Sequence, residues 1–260
     1  MYRRFLSLFF CLVGFQLSLH AQDLHLFILA DTNDYVVGTS TKIDIQRMEA
    51  LAEEICHYTD LNLKKQIVKG NELGRAAFEA MIQTPVAEED VILFHWSGHG
   101  MRTSEKDDES NFPYLIVGPE RIAIDHYEVT CALQELNPQL LISISDACNG
   151  YVGSDDYDIV SLVDKMEKSA NLDQCMQINY RKLFQESKGT IFVTGSKPGG
   201  YALCNIFKGG FLTKCLAQEV YQAVKADITA EWQTILENVE QRVLDLTDDK
   251  QQPYIECQLN

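Results

Sequence analysis

The sequence predicts an α/β domain built on a mostly parallel central sheet with helices on both faces, and three observations predict it. Short runs rich in Ile, Leu, Val and Phe recur along the chain, with the length and composition of buried strands. Segments with apolar residues at helical spacing lie between them. The two patterns alternate, and strands that alternate with helices are joined by crossovers and so run parallel.

A leader comes first. Arg3 and Arg4, an apolar run from Phe5 to Leu19, and small Ala21 before polar Gln22 have the three-part layout of a secretory signal peptide. Residues 1–21 are therefore expected to direct export to a periplasmic or extracellular compartment; the run is short for a membrane span. Residues 22–260 are expected to form one domain, long enough to bury a full core without help from metals or disulfides. Its strands are expected at Leu24 to Ala30, Leu63 to Val68, Val91 to His95, Leu140 to Ser145 and Thr190 to Thr194. Ile45, Met48, Leu51, Ala52 and Ile55 mark a first helix, and Leu73, Ala76, Ala77, Ala80 and Met81 a second. A third starts at Asp125, where Glu128 completes a capping-box spacing. From about residue 151 to 188 the chain is polar, its apolar residues sparse and broken, and it reads as one long connection of the kind that is usually functional or mobile. Helices near Phe211 to Val224 and Glu231 to Leu246, then a strand-like run after Pro253, complete the fold.

Without Arg3 and Arg4, 20 basic side chains face 38 acidic ones, a net charge of −18. Such a surface argues against nucleic acid as a partner. It is compatible with a plain solvated surface or with an acidic cleft that draws in basic peptides. Seven cysteines remain once Cys11 leaves with the leader, and an odd count implies at least one thiol outside any disulfide. None forms a CxxC unit, which argues against both a zinc site and a thiol oxidoreductase.

Functional groups in open α/β sheets gather at the carboxyl ends of the strands, and two expected strands end in unusual chemistry. One runs into WSGHG, which puts His99 on a glycine-flanked turn; the other runs into DACNG, which puts Cys148 on another. If these strands are neighbours, thiol and imidazole face each other. A free thiol titrates near ~8.5, so only a small fraction is thiolate at neutral pH, and a facing histidine can take its proton. The backbone N–H groups of Gly100 and Cys148 are candidates for an oxyanion hole. His95 and His99 would share a metal on a helix, but on an extended segment they lie roughly 13 Å apart, so His95 is expected in the core or behind the site.

FHWSGHG followed by ISDACNG resembles the paired histidine and cysteine motifs of caspases, metacaspases and related peptidases, with a histidine roughly 50 residues before the cysteine. The aspartate of DACNG is more similar to metacaspases. The resemblance implies a caspase-like fold and a cysteine endopeptidase whose nucleophile is Cys148 and whose base is His99, with no organic cofactor and a peptide or protein as substrate. It further implies an acidic S1 pocket, which receives the substrate residue before the scissile bond (P1). Asp146 and Ser97 match two pocket positions; Asp44 matches a third, with Asp31 and Asp34 as rivals, although Asp44 is also placed to cap the first helix. Cleavage after Arg or Lys follows. Lys197 and Gly200 in GSKPGGYALC depart from the acidic residue usual there, and that segment lacks the Gly-Lys-Ser/Thr of a phosphate loop. In the long connection, Lys165, Lys168, Arg181 and Lys182 are candidate self-cleavage points, and Asp155, Asp156 and Asp158 are candidate ligands for activating calcium. A caspase fold with a blocked cleft, acting by binding alone, is the alternative. The oligomeric state is not legible.

Overall fold

The computed structural model describes residues 22–104, 106, 110–151 and 173–260. In chain order its first elements are β1 (Asp23–Ala30), α1 (Gly38–Tyr58), β2 (Asn62–Lys69), α2 (Arg75–Ile82), β3 (Val91–Ser97), β4 (Gly100–Met101), β5 (Tyr114–Val117) and β6 (Ile122–Asp125). Then come α3 (His126–Gln134), β7 (Leu140–Asp146), α4 (Asp173–Arg181), β8 (Gly189–Thr194), β9 (Cys204–Asn205), β10 (Gly209–Gly210), α5 (Phe211–Lys225), α6 (Trp232–Thr247) and β11 (Tyr254–Leu259).

Six strands make the main sheet in the order β11-β8-β7-β3-β1-β2. All neighbours are parallel except β11, which runs antiparallel along β8. The middle strands are apolar nearly throughout because both their faces are covered. Alternation along β1 divides its side chains between two cores. Leu24, Leu26 and Ile28 meet Met48 and Ile55 of α1 and apolar residues of α4, α5 and α6, including Tyr180, Leu216 and Val239. Phe27 and Leu29 face the other way, with Phe94 and Trp96 of β3, onto Phe78 and Met81 of α2 and Leu133 of α3. Each such side chain, fully buried, stabilises the fold by about 1.5–3 kcal/mol relative to exposure. Asp125 caps α3 as its spacing predicts, accepting from the Tyr127 N–H at 2.8 Å.

Two features differ from the sequence reading. The stretch expected as one connection from about 151 to 188 ends in helix: α4 covers 173–181 and a π-helical turn covers Lys182–Glu186. Met176, Tyr180, Leu183 and Phe184 are buried at i, i+4, i+7 and i+8, an apolar stripe hidden in sequence by the polar residues between its members. Residues 152–172, with Asp155, Asp156, Asp158, Lys165 and Lys168, lie outside the described residues, as do residues 1–21. Second, two small antiparallel sheets, β4-β5-β6 and β9-β10, flank the main one; their strands of two to four residues are too short to show a period. No helix among the described residues is long and apolar enough to cross a membrane, and no disulfide joins the described cysteines.

Candidate active site

Strands β3 and β7 lie side by side, and their register ends with Ser97 opposite Asp146. The chain leaving each strand therefore carries its reactive residue, His99 or Cys148, onto the same edge of the sheet two residues later. Both line one cavity of about 190 Å³, together with Asp44, Ser97 and Asp146.

Each residue of WSGHG has a separate task. Trp96 is buried, and its Nε1–H donates to the His99 carbonyl at 3.3 Å; Ile116 N–H donates to the same oxygen at 3.0 Å. These bonds fix the backbone from which the imidazole projects. Ser97 points to the cavity floor and donates to Asp44 Oδ2 at 2.8 Å. A Cβ on Gly98 would lie 2.6 Å from the Trp96 ring, and one on Gly100 would lie 2.4 Å from the Cys148 carbonyl oxygen. Both glycines are thus required by close approach, and the second brings the Gly100 backbone against the cysteine.

The cysteine turn is held by its neighbour. Asn149 is fully buried. Its N–H donates to Ser196 Oγ at 3.0 Å, its Nδ2 to the Asn111 and Ser196 carbonyls, and its Oδ1 accepts from Arg102 Nε at 3.1 Å. Arg102, itself buried, also donates to the Ser110 carbonyl. The Cys148 thiol, partly exposed beside this clamp, points to the Ala202 carbonyl at 3.5 Å.

The imidazole of His99 faces an acidic loop. Its Nε2 lies 3.2 Å from Asp34 Oδ2. Burial alone would raise the Asp34 carboxyl, but N–H donors from Val37 and Val36 and the nearby His99 hold it below the ordinary value. Asp31, close by, is raised by burial and by the Asp34 charge.

The cavity floor brings together the three residues expected in S1. Asp44 accepts from Ser97, from Gly210 N–H at 2.9 Å and from Arg47 Nη1 at 3.2 Å. Asp146 Oδ2 accepts from both Thr213 N–H and Thr213 Oγ1 at 2.8 Å. The backbone between them must be bare: a Cβ on Gly209 would sit 2.2 Å from Asp44 Oδ1, and one on Gly210 2.0 Å from Asp146 Oδ2. Gly209 also has φ +75°, a conformation glycine alone adopts freely. Burial raises both carboxyls; for Asp44, to about 7, the Asp146 charge is the second cause. Among the described residues the cavity floor thus holds two carboxyls against one guanidinium, Arg47, with Lys250 on the wall.

Asp44 lies in the second turn of α1, which begins at Gly38 after Val37, so it does not cap that helix; the cap expectation failed because the helix starts about two turns earlier than its apolar stripe shows. Of the rivals for the pocket position, Asp34 pairs with His99 and Asp31 lies nearby. His95 is fully buried, with Nε2 2.9 Å from Thr213 Oγ1. Since that hydroxyl gives its proton to Asp146, it accepts from His95, whose Nε2 carries the hydrogen. Burial pushes His95 down to about 3, so it serves as a neutral strut behind Asp146. Lys197 turns outward to Glu240 at 3.2 Å, away from the acids. Arg181 and Lys182 sit in helical backbone, which an extended-chain cleft does not accept. Sequence reasoning missed Val36, Ile206 and Lys250 on the cavity wall. They come from loops whose only sequence signals are turn residues and a following Pro253.

Residues 33–260 match the model of the caspase domain. This chain belongs to the caspase-domain family of cysteine peptidases. Among solved structures it is similar to the crystal structure of caspase-1 from Spodoptera frugiperda, at 16% identity over 91% of this chain and 86% of that one, with a TM-score of 0.52. That likeness is one of fold, and the caspase-like α/β sheet expected from sequence is the one observed. None of the curated proteins compared with it matches.

Proposed function

We propose that this caspase-domain chain is an exported cysteine endopeptidase that cleaves after Arg or Lys, with Cys148 as nucleophile and His99 as its base. The observation that carries this reading is the shared cavity: thiol and imidazole stand at its wall, and Asp44, Ser97 and Asp146 stand with them. A substrate carbonyl beside Cys148 would be attacked by sulfur as the thiol proton passes to His99. The N–H groups of Gly100 and Cys148, on backbones that approach closely, would receive the oxyanion. His99 then returns the proton to the leaving amine, and water, deprotonated by the same imidazole, hydrolyses the thioester.

P1 preference follows from charge. The two carboxyls exceed the single internal guanidinium, so an arriving cation completes the balance, whereas an acidic side chain would add a third negative group to a desolvated site. The aspartate of DACNG that resembles metacaspases supplies one of these acids. The signal-like leader supports export.

The test is a peptide-library digest with the chain beginning at Gln22, with and without calcium and beside a Cys148→Ala control. Cuts after Arg and Lys that vanish in the control support the reading. No cysteine-dependent cleavage would favour a fold that acts by binding, and cuts after acidic or apolar residues would refute the pocket assignment.

A further inference from the structure

We infer that Asp34 is the positioning residue of the catalytic histidine, making the site a Cys148–His99–Asp34 triad; this rests on the peptidase reading above. The imidazole of His99 presents Nε2 to Asp34 Oδ2 at 3.2 Å. The carboxylate is pinned independently of the histidine, because Oδ1 accepts the N–H of Val36 at 2.7 Å and of Val37 at 3.0 Å. It is partly buried and lies just before α1, on the chain that leaves the carboxyl end of β1, the strand paired with β3. Neighbouring strands thus deliver the acid and the base, and the next strand over delivers the nucleophile.

The geometry dictates a tautomer. An ionised carboxylate only accepts, so Nε2 of His99 carries the hydrogen and Nδ1 keeps its lone pair for the thiol proton. In the attack step the S–H proton moves to Nδ1, the S–C bond forms, and the carbonyl π pair becomes the oxyanion. On collapse the C–N bond breaks and the amine leaves with the Nδ1 proton. Throughout, Nε2–H stays on Asp34, whose negative charge stabilises the imidazolium and with it the thiolate. Among the described residues, Asp31 on the same loop interacts with this imidazole, and Cys148, Asp44, Asp146, Cys204, Asp248 and Lys250 line the same cavity. Asp31 bears the same sign as Asp34, its carboxyl raised by burial and by the Asp34 charge, but it is Asp34 that meets the imidazole, at 3.2 Å.

Asp34→Asn and Asp34→Ala separate positioning from a structural role. An Asn oxygen can still accept from Val36 and Val37, but its amide then faces His99 with a donor. That reverses the tautomer, turning Nδ1–H toward the sulfur. The readouts are kcat/KM on an Arg-ending peptide, melting temperature, and the pH profile of Cys148 alkylation by iodoacetamide, followed by mass of the Cys148 peptide. Expected for Asp34→Asn are an unchanged melting temperature and a loss of at least about tenfold in kcat/KM. The alkylation midpoint should move up by about one pH unit, and Asp34→Ala should do no worse. A wild-type-like Asp34→Asn, or a loss of activity in both variants with an unmoved alkylation profile, overturns the inference. If wild-type Cys148 itself is alkylated no faster than an ordinary thiol, the peptidase reading fails first.

Discussion

Replacing Asp44 by Asn changes charge with little change of shape. The amide oxygen can still accept from Ser97 Oγ or Gly210 N–H, two of the three donors that hold the carboxylate beside Arg47 Nη1. What changes is the tally on the cavity floor, from two acids against Arg47 to one. A substrate cation about 4 Å from one carboxylate gains roughly 4 kcal/mol at an effective dielectric of ~20. Arg47 is unchanged by the substitution, so its repulsion drops out of the comparison, and desolvation trims the gain toward about 2 kcal/mol, the low end for losing one charge of a buried pair. That corresponds to roughly 30-fold in selectivity. The assay compares kcat/KM for two fluorogenic peptides that differ only in Arg or citrulline at P1, of nearly the same shape but with and without charge. Asp44→Asn should lower the Arg-to-citrulline ratio by about that factor and leave the citrulline value within a few fold. Equal losses on both peptides, or an unmoved ratio, would refute the assignment of Asp44 to the P1 side chain.

Other expectations follow from the same contacts. Because burial and Asp146 raise the Asp44 carboxyl to about 7, the pocket is more nearly neutral on the acid side of that value. The Arg-to-citrulline ratio should therefore rise with pH through about 7, and a ratio independent of pH would contradict the buried pair. Thr213→Val removes the hydroxyl that joins His95 to Asp146; it should weaken selectivity for Arg more than turnover of citrulline, in the same two-peptide assay. Asn149→Ala strips Arg102 and two carbonyls of partners in a buried site, and urea unfolding should show a loss of about 2–4 kcal/mol. Gly98→Ala meets the Trp96 ring and should cost activity by shifting His99; wild-type kcat/KM would show that this turn is not constrained.

The parts of this molecule legible in sequence were those with a period or a pairing of rare residues. Strands β1, β3 and β7 announce themselves as apolar runs because both faces are buried, and His99 and Cys148 announce themselves because each stands on a glycine turn at such a strand's end. The helix α4 and the π-helical turn after it were hidden, since Met176, Tyr180, Leu183 and Phe184 are their buried apolar positions among Asp, Gln, Asn, Arg and Lys. Pairing across loops was hidden too. Nothing in ADTND distinguishes the aspartate that meets His99 from the one that does not, and nothing in DACNG says that Asn149 is tied to Arg102. Such contacts depend on how loops fold over the sheet edge, which carries no periodic signal.

The most direct measurement is stoichiometric labelling with an arginyl chloromethyl ketone at neutral pH, read by peptide mass. Burial holds several other thiols back, with Cys56 pushed up to about 11 and Cys215 to about 12, and Cys204 and Cys257 also raised. The account predicts one equivalent on Cys148, lost in His99→Ala. Labelling spread over other cysteines, or undiminished when His99 is removed, would contradict it.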